Sequence, residues 1–111
     1  MQLPAQWFLA VAPIDLRCGM DRLLGWVQQG GGAVSGSVGY VFRNRAGSRI
    51  KLLLIDPTGV WLSVRRLHTG RFVWPRAGDG TCTLSSEQFG WLCAGVDWMR
   101  LSASEVPTAV L

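Results

Sequence analysis

The amino-acid sequence predicts an α+β fold: an antiparallel β-meander of about four to six strands, with one helix before it and one after it. Three observations carry that reading. Tyr40–Pro75 alternates strand-like runs with short tips that hold Gly47, Gly59 and Gly70. Between Gly19 and about Gln29, the apolar residues Met20, Leu23, Leu24 and Val27 recur at helical spacing. Leu84–Gln88 has the composition of a helix start. A chain of 111 residues fits one domain. We place it at 5–100, followed by a loosely ordered tail over 101–111.

Trp7–Ala12 is a short apolar run ended by Pro13, and it reads as a buried strand. The helix that follows carries Gly19 and Gly25, each of which weakens it by about 1 kcal/mol, so packing must hold it. Gly30-Gly31-Gly32 ends it, and Ala33–Gly39 reads as a flexible surface loop. That glycine-rich stretch lacks the Gly-Lys-Ser/Thr ending of a phosphate loop. After the meander, Arg76–Gly80 is turn-rich and Thr81–Leu84 suits a short edge strand. Ser85 and Gln88 have the spacing of a capping box, and Gly95 suits the end of that helix. Val96-Asp97-Trp98 then returns to the core.

The meander tips predict a register. Arg45-Ala46-Gly47, Pro57-Thr58-Gly59 and His68-Thr69-Gly70 each suit a three-residue loop closed by a left-handed glycine. Asn44 then faces Ser48, Asp56 faces Val60 and Leu67 faces Arg71. Phe42, Ile50, Leu52, Leu54, Leu62, Val64, Phe72 and Trp74 share the core face. Arg43, Arg49, Lys51, Leu53, Ile55, Trp61, Ser63, Arg65 and Val73 share the other, with Arg43 opposite Arg49 and Lys51 opposite Arg65. Arg66 falls on the core side, at the margin, where it can snorkel outward.

Charge is concentrated in the same unit. Eight cationic side chains between Tyr40 and Arg76 face one carboxylate, Asp56, a local +7 in a chain whose net charge is +4. The sequence pI of 9.6 follows from it. This excess points to an anionic partner, with Arg43, Arg45, Arg49, Lys51, Arg65 and Arg71 tracking phosphates and Trp61 stacking on bases. The plain alternative is a solvated face kept soluble by its arginines. Directly opposed like charges destabilise a sheet, which favours the anionic partner.

Other classes find less support. His68 is the single histidine, and no Cys–His spacing resembles a zinc site. No cofactor is implied. Cys18, Cys82 and Cys93 lack paired spacing and read as reduced thiols of a cytoplasmic protein. The carboxylates are scattered: Asp56 serves the Pro57 turn, and Asp15 or Asp21 the first helix N-terminus. The longest aliphatic run, Leu52–Ile55, is far too short to span a membrane. A mean hydropathy of +0.23 and six tryptophans predict an exposed apolar patch, hence a protein partner or self-association. Trp7, Trp26, Trp91 and Trp98 lie on apolar elements and are mostly core.

Four ordered motifs resemble a known family. Asp15–Leu23 resembles "D-x-R-x-G-x-D-x-L". Val41–Arg45 resembles "V-F-R-x-R". Arg65–Pro75 resembles "K-R-L-x-x-G-R-F-x-W-P". Leu84–Trp98 resembles "L-s-x-x-Q-l-x-x-L-x-x-G-x-D-W". Together they are similar to the TnpB accessory proteins of the insertion-sequence-66 transposons, products of the second reading frame. The resemblance implies a bacterial mobile-element protein that supports transposition beside a separate transposase, without cutting DNA itself. It shares only a name with the RNA-guided nuclease TnpB. Implied partners are DNA and the transposase or other transposon-encoded proteins. Two departures are local: residues 30–39 are Gly/Ser-rich, and Cys18 stands where a basic residue is common. The reading that competes with DNA contact is a scaffold that binds the transposase, or itself, through an apolar patch.

Overall fold

The described residues form, in order, β1 (Gln6–Ala10), α1 (Met20–Gln29), β2 (Val38–Arg43), β3 (Arg49–Asp56), β4 (Gly59–Arg66), β5 (Thr81–Ser85) and α2 (Ser86–Cys93), with a helical turn over 98–101 after them. The computed structural model describes residues 3–4, 6–30, 37–76 and 80–101. The strands form one sheet in the order β4-β3-β2-β1-β5. β1 and β2 run parallel, joined by the crossover that contains α1. All other pairs are antiparallel. The fold is therefore α+β with a mixed sheet rather than a pure antiparallel meander. α1 precedes four strands but follows β1.

Each face of the sheet has its own core. On one, α1 buries Leu23 and Val27 against Ala10, Tyr40, Phe42, Leu53 and Ile55. On the other, Leu92 of α2 joins Trp7, Leu9, Val41, Ile50, Leu54, Phe72, Leu84 and Trp98. A sheet covered on both sides requires strands that are apolar on both sides, and Leu52–Ile55 of β3 is one. Trp7 and Trp98 are buried, while Trp26 and Trp91 are half-buried.

The second helix starts and ends on side-chain and glycine chemistry. Ser85 Oγ accepts from the Gln88 N–H at 3.2 Å, and the Ser85 N–H donates to Gln88 Oε1 at 2.9 Å. This reciprocal box satisfies two otherwise orphaned donors. At the far end Gly95 adopts φ +77°. Its N–H donates to Leu92 O at 3.0 Å, and the Val96 N–H donates to Trp91 O at 3.0 Å. That is the Schellman pattern of carbonyl satisfaction.

The register differs from the expected one by a single residue in both hairpins. Arg43 pairs with Ile50 instead of Arg49. Asp56 pairs with Gly59 instead of Val60, so the loop is Pro57-Thr58 alone. The Asp56 carboxylate closes that loop, accepting from the N–H groups of Thr58 and Gly59 at 2.8 Å each. The first loop is instead closed by Asn44 Oδ1, which accepts from Ser48 N–H at 3.0 Å and Arg49 N–H at 3.1 Å. Gly47 still takes the left-handed φ, +74°. The two shifts cancel between β2 and β4 and invert β3 alone. Ile50, Leu52 and Leu54 thus join Arg43, Trp61, Ser63 and Arg65. Arg49 and Lys51 join Phe42, Leu62 and Val64 on the α1 side.

Residues 71–75, expected as a fourth meander strand, lie outside the ladder. The Phe72 N–H donates to Gly47 O at 2.8 Å, which holds the segment across the sheet. Trp74 Nε1 donates to Ala10 O and Val11 O at 2.9 and 3.1 Å, and Trp98 Nε1 donates to Val73 O at 2.8 Å. The family-like string Gly70–Pro75 is thus a strap that ties the end of β1, the β2–β3 tip and Trp98 together. His68 is exposed in the bend before it rather than on a hairpin tip. Of the loop expected over Ala33–Gly39, Val38 and Gly39 instead open β2, and Leu101, expected in the tail, belongs to a helical turn over 98–101. Residues 33–36, 77–79 and 102 onward lie outside the described residues.

Candidate nucleic-acid interface

The basic side chains fall on two opposite faces. The first group surrounds the segment between β1 and α1. Ile14 N–H donates to Arg43 O at 3.0 Å, which seats this segment on the end of β2. Asp15 then folds the chain back: its carboxylate accepts from the Arg17 backbone N–H at 3.0 Å and from Arg17 Nη2 at 2.8 Å. Lys51 Nζ donates to Cys18 O at 2.8 Å and fastens the loop to β3. Asp15, Leu16, Arg17, Asn44, Arg49, Lys51 and Val64 line an open cleft of about 380 Å³.

This cleft holds three cations and one carboxylate. The Arg17 side chain, through its hydrogen bond, keeps Asp15 well below the usual carboxylate range, and Asp15 in turn raises Arg17. That pair is exposed and internally neutralised, which leaves Arg49 and Lys51 as the uncompensated charges. Arg66 extends the patch, because it is the cross-strand partner of Arg49. Among the described residues no carboxylate lies within ion-pair distance of Arg49 or Arg66. Arg45, exposed on the β2–β3 tip, lines an adjoining cleft of about 370 Å³ with Pro13, Ile14 and Asn44. Arg71, also exposed, lies beside Gly47 of that tip.

Arg43, Trp61 and Arg65 lie on the opposite face of the sheet, so the expected set is not gathered on one surface. Arg43 is half-buried, with its guanidinium 5.7 Å from the Trp74 ring centroid. Its Nη1 donates to Arg45 O at 3.4 Å, while its Nε is buried without a hydrogen bond. Arg65 Nε donates to Cys93 O at 2.6 Å, at the C-terminal end of α2 where a cation is favoured. Trp61 is exposed on edge strand β4. Arg17 and Arg66 were missed as surface partners of Arg49. The Asp15–Arg17 spacing was a visible signal for the first; a correct hairpin register would have revealed the second.

Uncompensated cations gathered on one surface have the charge to attract an anion. No three His, Cys, Asp or Glu side chains among the described residues gather as metal ligands would. Burial pushes the Cys93 thiol up to about 11, so it is protonated at neutral pH and a weak nucleophile. No helix among the described residues is long and apolar enough to cross a membrane.

The sequence model of the family described as IS66 Orf2 like protein matches residues 5–103. Two proteins of Sinorhizobium fredii are similar over nearly their whole length. The uncharacterized protein y4hO is 36% identical over 105 residues, covering 93% of this chain and 90% of that one. The uncharacterized protein y4jC is 35% identical over 109 residues, covering 92% and 90%. No solved structure matches the chain significantly.

Proposed function

Because the chain belongs to the IS66 Orf2-like family, and so has an accessory role associated with transposition, we propose that it contacts DNA, or a transposase–DNA assembly, as a non-catalytic factor. The contact surface is the α1 side of the sheet. One observation carries the reading: Arg49 and Arg66 are directly opposed across β3 and β4, with no described carboxylate to separate their charges. Such a pair is unfavourable alone and is relieved by a phosphate lying across it. Lys51 and Arg17 border the same cleft, and Arg45 and Arg71 continue the basic surface around the β2–β3 tip. Phosphate contacts of this kind position a nucleic acid without reading its sequence.

The test is a titration of duplex and single-stranded DNA over a series of salt concentrations. Binding is expected to weaken linearly in log salt, and Arg49→Ala with Arg66→Ala to reduce the slope by about two. Absence of binding at low salt, or an unchanged slope in the double variant, sinks the proposal. A scaffold role is the second reading, favoured by the exposed apolar side chains of β4. Survival of a transposase complex after nuclease treatment would favour it over DNA bridging.

A further inference from the structure

The two edges of the sheet are built differently. The β5 edge is short, five residues, and leads straight into α2. The β4 edge is eight residues long, about 26 Å of strand, and among the described residues no other strand pairs with its outer side. Soluble proteins normally blunt such an edge with charges, proline or a bulge. Here the charges are confined to one end, at Arg65 and Arg66. Gly59–Val64 has no charged residue and no proline, and it pairs with β3 without interruption. Trp61 is 52% exposed and Val64 62% exposed, on opposite faces of this strand.

We propose that β4 is a docking edge for an extended acidic–apolar segment of another protein, which adds to the sheet as a sixth strand. Main-chain hydrogen bonds to the open edge would supply affinity, and alternate side chains specificity. Trp61 and Ser63 would flank the incoming strand on one face, and Leu62 and Val64 on the other, which selects apolar or β-branched residues. Arg65 and Arg66 are adjacent and point to opposite faces, so two consecutive acidic residues on the partner would meet one arginine each. No described carboxylate lies within ion-pair distance of either arginine. Charge also favours a foreign segment over a second copy of this chain, since its own β4 carries no acid to meet Arg65 and Arg66. Arg66 is shared with the proposed DNA contact, but the assay contains no nucleic acid, so failure of the one reading is distinguishable from failure of the other.

The probe is a fluorescein-labelled synthetic peptide of about eight residues: two adjacent aspartates followed by alternating valine and threonine. The expected result is saturable binding by anisotropy that is lost when alternate peptide nitrogens are methylated. That modification keeps the side chains and removes backbone donors. The double variant Arg65→Glu, Arg66→Glu should weaken binding at least about tenfold and restore it for a peptide carrying lysines in place of the aspartates. Circular dichroism of the variant verifies that it is folded. No binding to the native chain overturns the inference, as does equal binding of the methylated peptide. A self-associating chain whose dimer excludes the peptide overturns the choice of occupant.

Discussion

The Trp7 indole occupies the space that a side chain on Gly39 would need. The two are neighbours across the parallel β1–β2 pair, and a Cβ built on Gly39 falls inside the six-membered ring's contact distance. The same indole stacks on Phe89 of α2, with centroids 3.7 Å apart and planes 5° from parallel. Gly39, Trp7 and Phe89 therefore set the spacing of helix and sheet in one layer. Gly39→Ala should destabilise the protein by about 1–3 kcal/mol through overpacking, read as a lower urea midpoint with unchanged m. A neutral result would mean that the indole can move aside.

The strap over residues 71–75 makes a second stability prediction. Trp74→Phe keeps an aromatic ring but deletes the donor shared by Ala10 O and Val11 O. The expected loss is about 1–2 kcal/mol by denaturant unfolding, from carbonyls left short of a partner. DNA affinity of the folded fraction should not change. A drop in affinity with no drop in stability would instead make Trp74 part of the contact surface.

The sequence was legible where structure is local. The Ser85–Gln88 box, the Gly95 terminator and α1 were readable because each depends on residues within a few positions of one another. The β3 register was not. Leu52-Leu53-Leu54-Ile55 is apolar on both faces, so alternation could not say which side met α1. The choice fell to turn chemistry, and there Asp56 closed the loop with its carboxylate instead of Gly59 with a left-handed backbone. One residue of difference then split the basic cluster in two. The parallel β1–β2 pairing was invisible for another reason: a crossover leaves no local mark beyond a helix between two strands.

Both Asp15 and Asp56 are held below the ordinary carboxylate value of 3.8, Asp15 chiefly by the Arg17 side chain and Asp56 chiefly by the Thr58 N–H. A lowered folded-state pKa contributes stability that is present above the unfolded value and lost as pH falls through the folded one. Melting temperature should therefore decline as pH drops below about 4. Asp56→Asn should flatten part of that decline. An unaltered acid profile in this variant would remove Asp56 from the cause.

Cys93 predicts the opposite limb. Its folded pKa of about 11 exceeds the ordinary 9.0, chiefly because of burial. The thiolate is thus favoured in the unfolded chain, so stability falls as pH rises from the unfolded value through the folded one. Cys93→Ser should lessen the alkaline loss. Cys93 in the native protein should also alkylate slowly at pH 8, and fast labelling there would show that the end of α2 opens.

Arg43 and Arg49 should separate packing from binding. Arg43 is half-buried over the Trp74 ring, with its Nε enclosed, whereas Arg49 is exposed beside the cleft on the other face. Arg43→Ala removes a stacked guanidinium and opens a gap beside the strap, so it should cost about 1–2 kcal/mol of stability. The salt slope of DNA binding should stay unchanged. Arg49→Ala removes a charge that repels Arg66 across the strands, so stability should hold or rise by about 0.5 kcal/mol, while the salt slope falls by about one. Paired unfolding and salt-titration curves on the two variants decide the matter. If Arg43→Ala is the variant that loses slope, the DNA contact belongs to the α2 side of the sheet, where Arg65 and Trp61 also stand.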